Sequence, residues 1–263
     1  MSMHKPERSE LILISGGASG IGAASAARFA DGGATVVVVD RNVDAAQYVA
    51  SAVGGHAYLL DVSVDEAVDA TLETIEASLG PIDRFVHCAG PLQNMDRPES
   101  LTMRVWDRIT NVHLRGSYLM ATGVGSRMAR RGHGSIVLIS SVVAMQAAPL
   151  HAYGPAKAAV LNLAQGLAAE WGPYGVRVNC VSPGFVETPA TARGFEQGVL
   201  DQERLIASSA LRRLVTTDDV VSAIEFLLMD SASAITGCNL PVDAGFLASS
   251  SWAAYGARPG ANE

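Results

Sequence analysis

A tyrosine and a lysine stand four positions apart, at Tyr153 and Lys157. On a helix four residues advance by about 400°, so the two side chains share one face, one turn apart. The intervening Gly154 and Pro155 are unsuited to a helix interior. They are acceptable where a helix begins, because a first-turn proline lacks only an N–H that has no intrahelical partner. Tyr153 would then stand at the helix entrance. A free tyrosine, with a pKa near about 10, is a poor base at neutral pH. An ammonium about 4–5 Å away, at an effective dielectric of about 20, would favour the phenolate by roughly 3–4 kcal/mol, or two to three pK units. The spacing thus predicts a phenol that exchanges its proton at about pH 7–8.

A second constellation lies near the start of the chain, Ser15-Gly-Gly-Ala-Ser-Gly-Ile-Gly22. It follows a strand-like run and opens a helix-like one. Phosphate oxygens need close approach to backbone N–H groups, which a Cβ would obstruct, and a helix N-terminus adds a favourable dipole. Gly16, Gly20 and Gly22 are spaced for such an approach, though not as the Gly-x-Gly-x-x-Gly fingerprint. Asp40 ends the second apolar run, where a carboxylate accepts hydrogen bonds from adenosine ribose hydroxyls and repels the additional phosphate of NADP. Arg41 beside it pulls the other way. The balance predicts NAD, with NADP the less favoured cofactor.

The elements that must position these groups alternate. Strand-like runs fall at 11–15, 34–40, 57–61, 84–88, 135–141, 176–182 and 238–242, with helix-like segments at 20–31, 65–78, 101–131, 153–171 and 217–229. Near-continuous Val/Ile/Leu runs mark strands covered on both faces, as in parallel sheets. The expected fold class is therefore α/β: a single-domain Rossmann fold, a doubly wound parallel sheet of about seven strands with helices on both faces. One domain is expected over 1–263, with 1–9 as a flexible tail, 189–214 as a substrate lid and 249–263 as a C-terminal tail. The tail carries Trp252 and Tyr255 and would dock on a neighbouring subunit or close a pocket.

Of 263 residues, 49% are hydrophobic and the net charge is -7, which supports a large core and argues against nucleic-acid or anionic-membrane partners. The polar residues 1–10 lack the apolar segment of a signal peptide, so a cytoplasmic protein is expected. Cys88, Cys180 and Cys238 are too scattered for a metal site and suit a reducing compartment. The helix over 156–169 is apolar almost all round, which points to a second burial partner and hence to a homo-oligomer, a tetramer or dimer.

In this order the motifs resemble the short-chain dehydrogenase/reductase family over nearly all of 10–247. Ser15–Gly22 is similar to its Thr-Gly-x-x-x-Gly-x-Gly element, which implies phosphate and ribose contacts from Gly16, Ser19, Gly20, Ile21 and Gly22, with Asp40 and Arg41. Asp61 and Val62 resemble the pair that contacts the adenine. His87-Cys88-Ala89-Gly90 matches the family's Asn-Asn-Ala-Gly in its second half only, at Ala89 and Gly90. Asn111, in Asn-Val-His-Leu-Arg-Gly, resembles the active-site asparagine that holds a water linking the lysine to solvent. Ser140-Ser141 stands where the family's substrate-orienting serine sits. An interval of thirteen residues to Tyr153 selects Ser140; matching the second serine of the pair selects Ser141, preferred because alternation sends the two hydroxyls opposite ways. Pro183, Val186 and Thr188 resemble the loop that fixes the nicotinamide, and 236–245 the last strand and its turn.

The resemblance implies an NAD-dependent oxidoreductase interconverting a secondary alcohol and a ketone. Ser141 would hold the substrate oxygen, Tyr153 would remove its proton, Lys157 would acidify the phenol and bind the nicotinamide ribose, and Asn111 would complete the relay. Val143, His151, Phe185 and Gln93 would line a pocket for a small, neutral, moderately apolar alcohol. The alternatives are an NADPH-dependent ketoreductase of the 3-oxoacyl thioester type and a dinucleotide-binding sensor without turnover.

Overall fold

The computed structural model describes residues 8–249 and 251–252. The strands are β1 (Leu11–Ser15), β2 (Thr35–Asp40), β3 (His56–Leu59), β4 (Arg84–His87), β5 (Gly134–Ile139), β6 (Val176–Pro183) and β7 (Asn239–Val242). They form one sheet in the order β3-β2-β1-β4-β5-β6-β7, and every pairing is parallel. The α/β doubly wound fold expected from the alternating runs is therefore the fold observed.

Strand alternation divides the core into two layers. Leu11 and Leu13 face one side with α3 (Asp65–Leu79), α5 (Gly116–Arg131) and α6 (Tyr153–Trp171), whose Leu72, Val124 and Val160 cover the sheet. Ile12 and Ile14 face the other with α1 (Gly20–Asp31), α2 (Val43–Ala52) and α9 (Thr217–Leu228), which contribute Phe29, Ala50 and Ile224. Burial of such apolar runs on both faces is what makes their β-branched content read as strand.

Three departures from the expected elements bear on the site. The helix expected over 101–131 is α4 (Met103–Thr110) and α5 joined by a π-helical turn at Asn111–Arg115, which adds one residue to the turn and rotates α5 relative to α4. Both serines at 140–141 lie just beyond β5, and Asp61 lies beyond β3. The segment 189–214 holds two short helices, α7 (Pro189–Glu196) and α8 (Gln202–Ser208). Its far end is tied down: Leu211 N donates to Ala244 O at 3.0 Å, and Val215 bridges Val186. α10 (Phe246–Ser249) closes the described fold.

Of the expected N-terminal tail, Arg8 is anchored, pairing with Asp83 at 2.8 Å. Its guanidinium also donates to the Pro81 carbonyl at 3.0 Å. The rest of that segment up to residue 7, and the tail beyond 252 with Tyr255, lie outside the described residues. Among the described residues no helix is long and apolar enough to cross a membrane.

Candidate active site

The strand order reverses between β1 and β4, and ligands of open α/β sheets bind outside the strand ends at such a switch point. The glycine loop sits there. Gly16 has φ +69°, and a Cβ on it would lie 2.5 Å from the backbone of Ala89. A Cβ on Gly22 would strike the Gly16 carbonyl. Ser19 is extended and opens α1, so the N–H groups of Gly20 and Ile21 lie in the helix's first turn. Asp40 is pinned to this loop: its carboxylate accepts from Ala18 N at 3.3 Å and from Asn42 N at 3.0 Å. Arg41 is exposed and near enough to Asp61 to favour its charged form, although Ser63 does most to hold that carboxyl low. Val62 is buried against Gly116.

Thr188 approaches Gly20 from the opposite rim, its methyl 3.7 Å from where a Cβ would stand. Its hydroxyl caps α7 by accepting from Thr191 N at 3.2 Å. Pro183 ends β6, and Val186 is buried in its bridge to Val215. A backbone cradle that only glycine can line, a helix N-terminus and a fixed carboxylate together fit a dinucleotide.

Tyr153 opens α6 as the spacing predicted. Gln93 holds that entrance: its buried Oε1 accepts from Ala152 N at 3.0 Å and Tyr153 N at 2.7 Å. Two N–H groups of a helix start that would otherwise be orphaned are satisfied this way. The two serines diverge. Ser140 Oγ donates to the Lys157 carbonyl at 2.9 Å, tying β5 to α6. Ser141 instead stands near enough to the Tyr153 phenol to pull its pKa down, and its Oγ accepts from Val143 N at 3.4 Å. Val143 and His151 flank the turn before α6, and Phe185 stacks edge-on against Phe246 at 5.4 Å.

Lys157 is 4% exposed, donates to the Ile139 carbonyl at 2.7 Å, and lies 5.6 Å from the Tyr153 ring centre. The expected electrostatics are not realised. Burial holds the phenol above its ordinary value, opposed only by the Ser141 hydrogen bond. Burial also pushes the lysine down to about 8. Desolvation dominates at both groups, and the ammonium is turned to a strand carbonyl. Without the positive nicotinamide that was expected to push the same way, the amine does not acidify the phenol.

Asn111 is corrected too. It is exposed, on the outer side of the π-turn beside Leu114, Arg115, Tyr118 and Leu163. The residue of that segment that reaches Tyr153 is His113. It is 2% exposed, its ring meets the tyrosine ring edge-on at 4.9 Å and 89°, and its Nε2 bonds the Pro91 carbonyl at 2.7 Å. Any side chain on Gly90 would strike this imidazole. Positions 109, 113, 117, 120 and 124 are all buried and step by three or four residues, whereas 111 falls between them. That stripe was the available signal for His113. His87 was also missed as a side chain of interest; it is 1% exposed and bonds Ser15 Oγ through Nδ1 at 2.7 Å.

Residues 16–247 match the family model described as enoyl-(acyl carrier protein) reductase. The chain is 34% identical over 249 residues to D-threitol dehydrogenase of Mycolicibacterium smegmatis, covering 90% of this chain and 92% of that one. A crystal structure of a Brucella melitensis 16M protein named ribose-5-phosphate isomerase is 48% identical, with a TM-score of 0.93 over 95% of this chain and 97% of that one. A short-chain dehydrogenase/reductase from Mycobacterium ulcerans is 30% identical, with a TM-score of 0.87 over 92% and 91%. With this fold, this cradle and these relatives, the chain belongs to the short-chain dehydrogenase/reductase family and is an oxidoreductase.

Proposed function

We propose that the protein is an NAD-dependent dehydrogenase that interconverts a small, neutral secondary alcohol and its ketone. One observation carries the reading: an unbroken run of contacts leads from the phosphate cradle to the phenol. Gly16 lies against Ala89, Gly90 against His113, and His113 against Tyr153. A nicotinamide cofactor, when bound, supplies the hydride acceptor. Ser141 and Tyr153 then share the substrate oxygen, the serine donating to it and the phenol taking its proton. Burial keeps Tyr153 neutral until a positive ring stands beside it, so the proton leaves only when hydride transfer is possible. Lys157, with two N–H groups beyond its bond to Ile139, is placed to hold a ribose hydroxyl. Gly16, Ser19, Gly20, Ile21 and Gly22 hold the phosphates, Asp61, Val62, Ala89 and Gly90 the adenine side, and Pro183, Val186 and Thr188 the carboxamide.

The preference for NAD rests on Asp40. A carboxylate clamped by two backbone N–H groups cannot swing away from an additional phosphate. An isomerisation of the kind named for the Brucella protein would leave the dinucleotide cradle without a use. The 3-oxoacyl ketoreductase reading would need Asp40 to tolerate NADPH. We further infer a cytoplasmic homo-oligomer, dimer or tetramer, joined along α6, which sedimentation tests.

The deciding experiment follows reduced nicotinamide with NAD and NADP over a panel of secondary alcohols that includes threitol and glycerol. Turnover with NAD at least about 10-fold better than with NADP is expected. Tyr153→Phe should lose more than about 1,000-fold in kcat while NADH fluorescence titrations still show binding. No turnover with any alcohol, or equal activity in Tyr153→Phe, would overturn the reading.

A further inference from the structure

Among the described residues, two side-chain amides each keep one buried atom without a partner: Nε2 of Gln93 and Oε1 of Gln146. Buried polar groups are nearly always hydrogen-bonded, so each orphan calls for a reason. Gln93 is 7% exposed, while its neighbours Leu92 and Asn94 are exposed, so the segment after β4 turns this one side chain inward. Its orientation is fixed by chemistry. Oε1 accepts from Ala152 N and Tyr153 N, which only an oxygen can do, and the NH2 group is left as an unused donor. Gln146 follows the single helical turn Val142–Ala144 that Ser141 opens, and its N donates to Val142 O at 3.1 Å. That turn lies against the start of α6: a Cβ on Gly154 would stand 3.4 Å from the Val143 carbonyl. One free donor and one free acceptor thus belong to the two segments that meet the first turn of α6, where Tyr153 stands.

We propose that Gln93 is a specificity-determining residue, and that with Gln146 it reads a second hydroxyl of the substrate, on a carbon near the carbinol. The substrate class is then a diol or larger polyol and not a simple secondary alcohol. This deepens the dehydrogenase reading and rests on it. A hydroxyl both accepts and donates, so it takes a hydrogen bond from Gln93 Nε2 and returns one to Gln146 Oε1. A carboxylate would satisfy the first atom and set a second acceptor against the other; an ammonium would do the reverse. A site built to hydrogen-bond a hydroxyl rejects the analogue that lacks it, because its own polar atoms are then left unpaired. An apolar wall discriminates far less. The same amide holds the backbone of Tyr153, so the group that recognises the second oxygen and the phenol that serves the first are set from one anchor.

Matched pairs test this: glycerol against isopropanol and threitol against sec-butanol, followed as kcat/KM with NAD. The polyol of each pair should be favoured by at least about 10-fold. Gln93→Glu keeps an oxygen for the two backbone N–H groups and puts an acceptor where the donor stood, so its polyol preference should fall by at least about 10-fold. Gln146→Leu should lower the preference by about 3–10-fold, and it decides alone if the glutamate variant does not fold. The ratio within a pair cancels any common loss through Tyr153, so a merely structural role would leave it unmoved. Equal values within both pairs for the unaltered protein, or a preference that Gln93→Glu retains, overturns the proposal; a preference that only Gln146→Leu retains strikes the second amide from it. Should the protein oxidise neither alcohols nor polyols, the dehydrogenase reading falls, and calorimetric titration of threitol and sec-butanol judges the amides by themselves. Threitol binding that weakens in Gln93→Glu supports them; threitol bound no better than sec-butanol, or equally well by the variant, overturns them.

Discussion

The glycine loop at Gly16–Gly22 and the polar cluster around Lys157 lie at the same edge of the sheet, yet they are held in different ways. The loop is specified by backbone: left-handed φ at Gly16 and Gly20, and approaches too close for a Cβ. The cluster is specified by side chains shut away from water, with Lys157, His87 and His113 each less than 5% exposed. Backbone constraints act locally and fail sharply when broken. A desolvated cluster acts through space, and its members' charges depend on what else is bound. The lesson is that the half of a cleft that grips can be rigid by geometry alone, whereas the half that reacts is poised by exclusion of solvent.

The largest effect should come from breaking the loop. Gly16→Ala places a Cβ 2.5 Å from Ala89 backbone at φ +69° and should cost about 2–4 kcal/mol in stability and more than about 100-fold in NADH affinity, read by urea unfolding and fluorescence titration. Gly33 is the control: its φ is +84° but nothing lies within 4 Å, so Gly33→Ala should cost only about 1–2 kcal/mol and leave NADH binding unchanged. Equal effects of the two would show that the loop's close approach carries no weight.

Next in size is the contrast between adjacent serines. Ser141→Ala should lower kcat by about 100-fold with little change in melting temperature. Ser140→Ala should lower stability by about 1 kcal/mol through its lost bond to the Lys157 carbonyl and change kcat less than about fivefold. The reverse ranking in steady-state kinetics would exchange their roles.

The smallest effect sharpens the cluster side. His87 and His113 are held below the ordinary imidazole value in the folded chain, at about 3 and about 2. Below about pH 6.5 the unfolded chain therefore binds more protons than the folded one. The histidine contribution is complete above that pH and is lost on acidification, by up to about 1.4 kcal/mol per pH unit for each histidine. Urea unfolding at pH 7, 6 and 5 should show this slope, reduced by one histidine's share in His113→Asn. An unchanged slope would mean that His113 takes up its proton as readily in the folded chain as in the unfolded one.

How much of this was legible in the sequence differs with the same division. Val36 to Val39 read as strand because four buried β-branched residues need cover on both faces. α2 escaped notice because its core face is made of small residues, Ala46 and Ala50, which draw no clear apolar stripe. Asn111 was favoured over His113 because the motif drew attention to its first polar residue. The buried stripe through Ile109, Met120 and Val124 selects the third, and the π-turn that presents it leaves no mark in composition.

By itself the chain's order of residues determined a parallel α/β sheet, a turn that only glycine can make after β1, and a phenol and an amine on one helical face. Those properties follow from φ/ψ limits and helical repeat, which act between neighbours. Only the tertiary structure decided which serine meets the phenol, which residue of the π-turn faces inward, and that burial outweighs the lysine's charge at Tyr153. Each of those depends on water excluded by segments far apart in the chain, and desolvation has no signature in the spacing of residues.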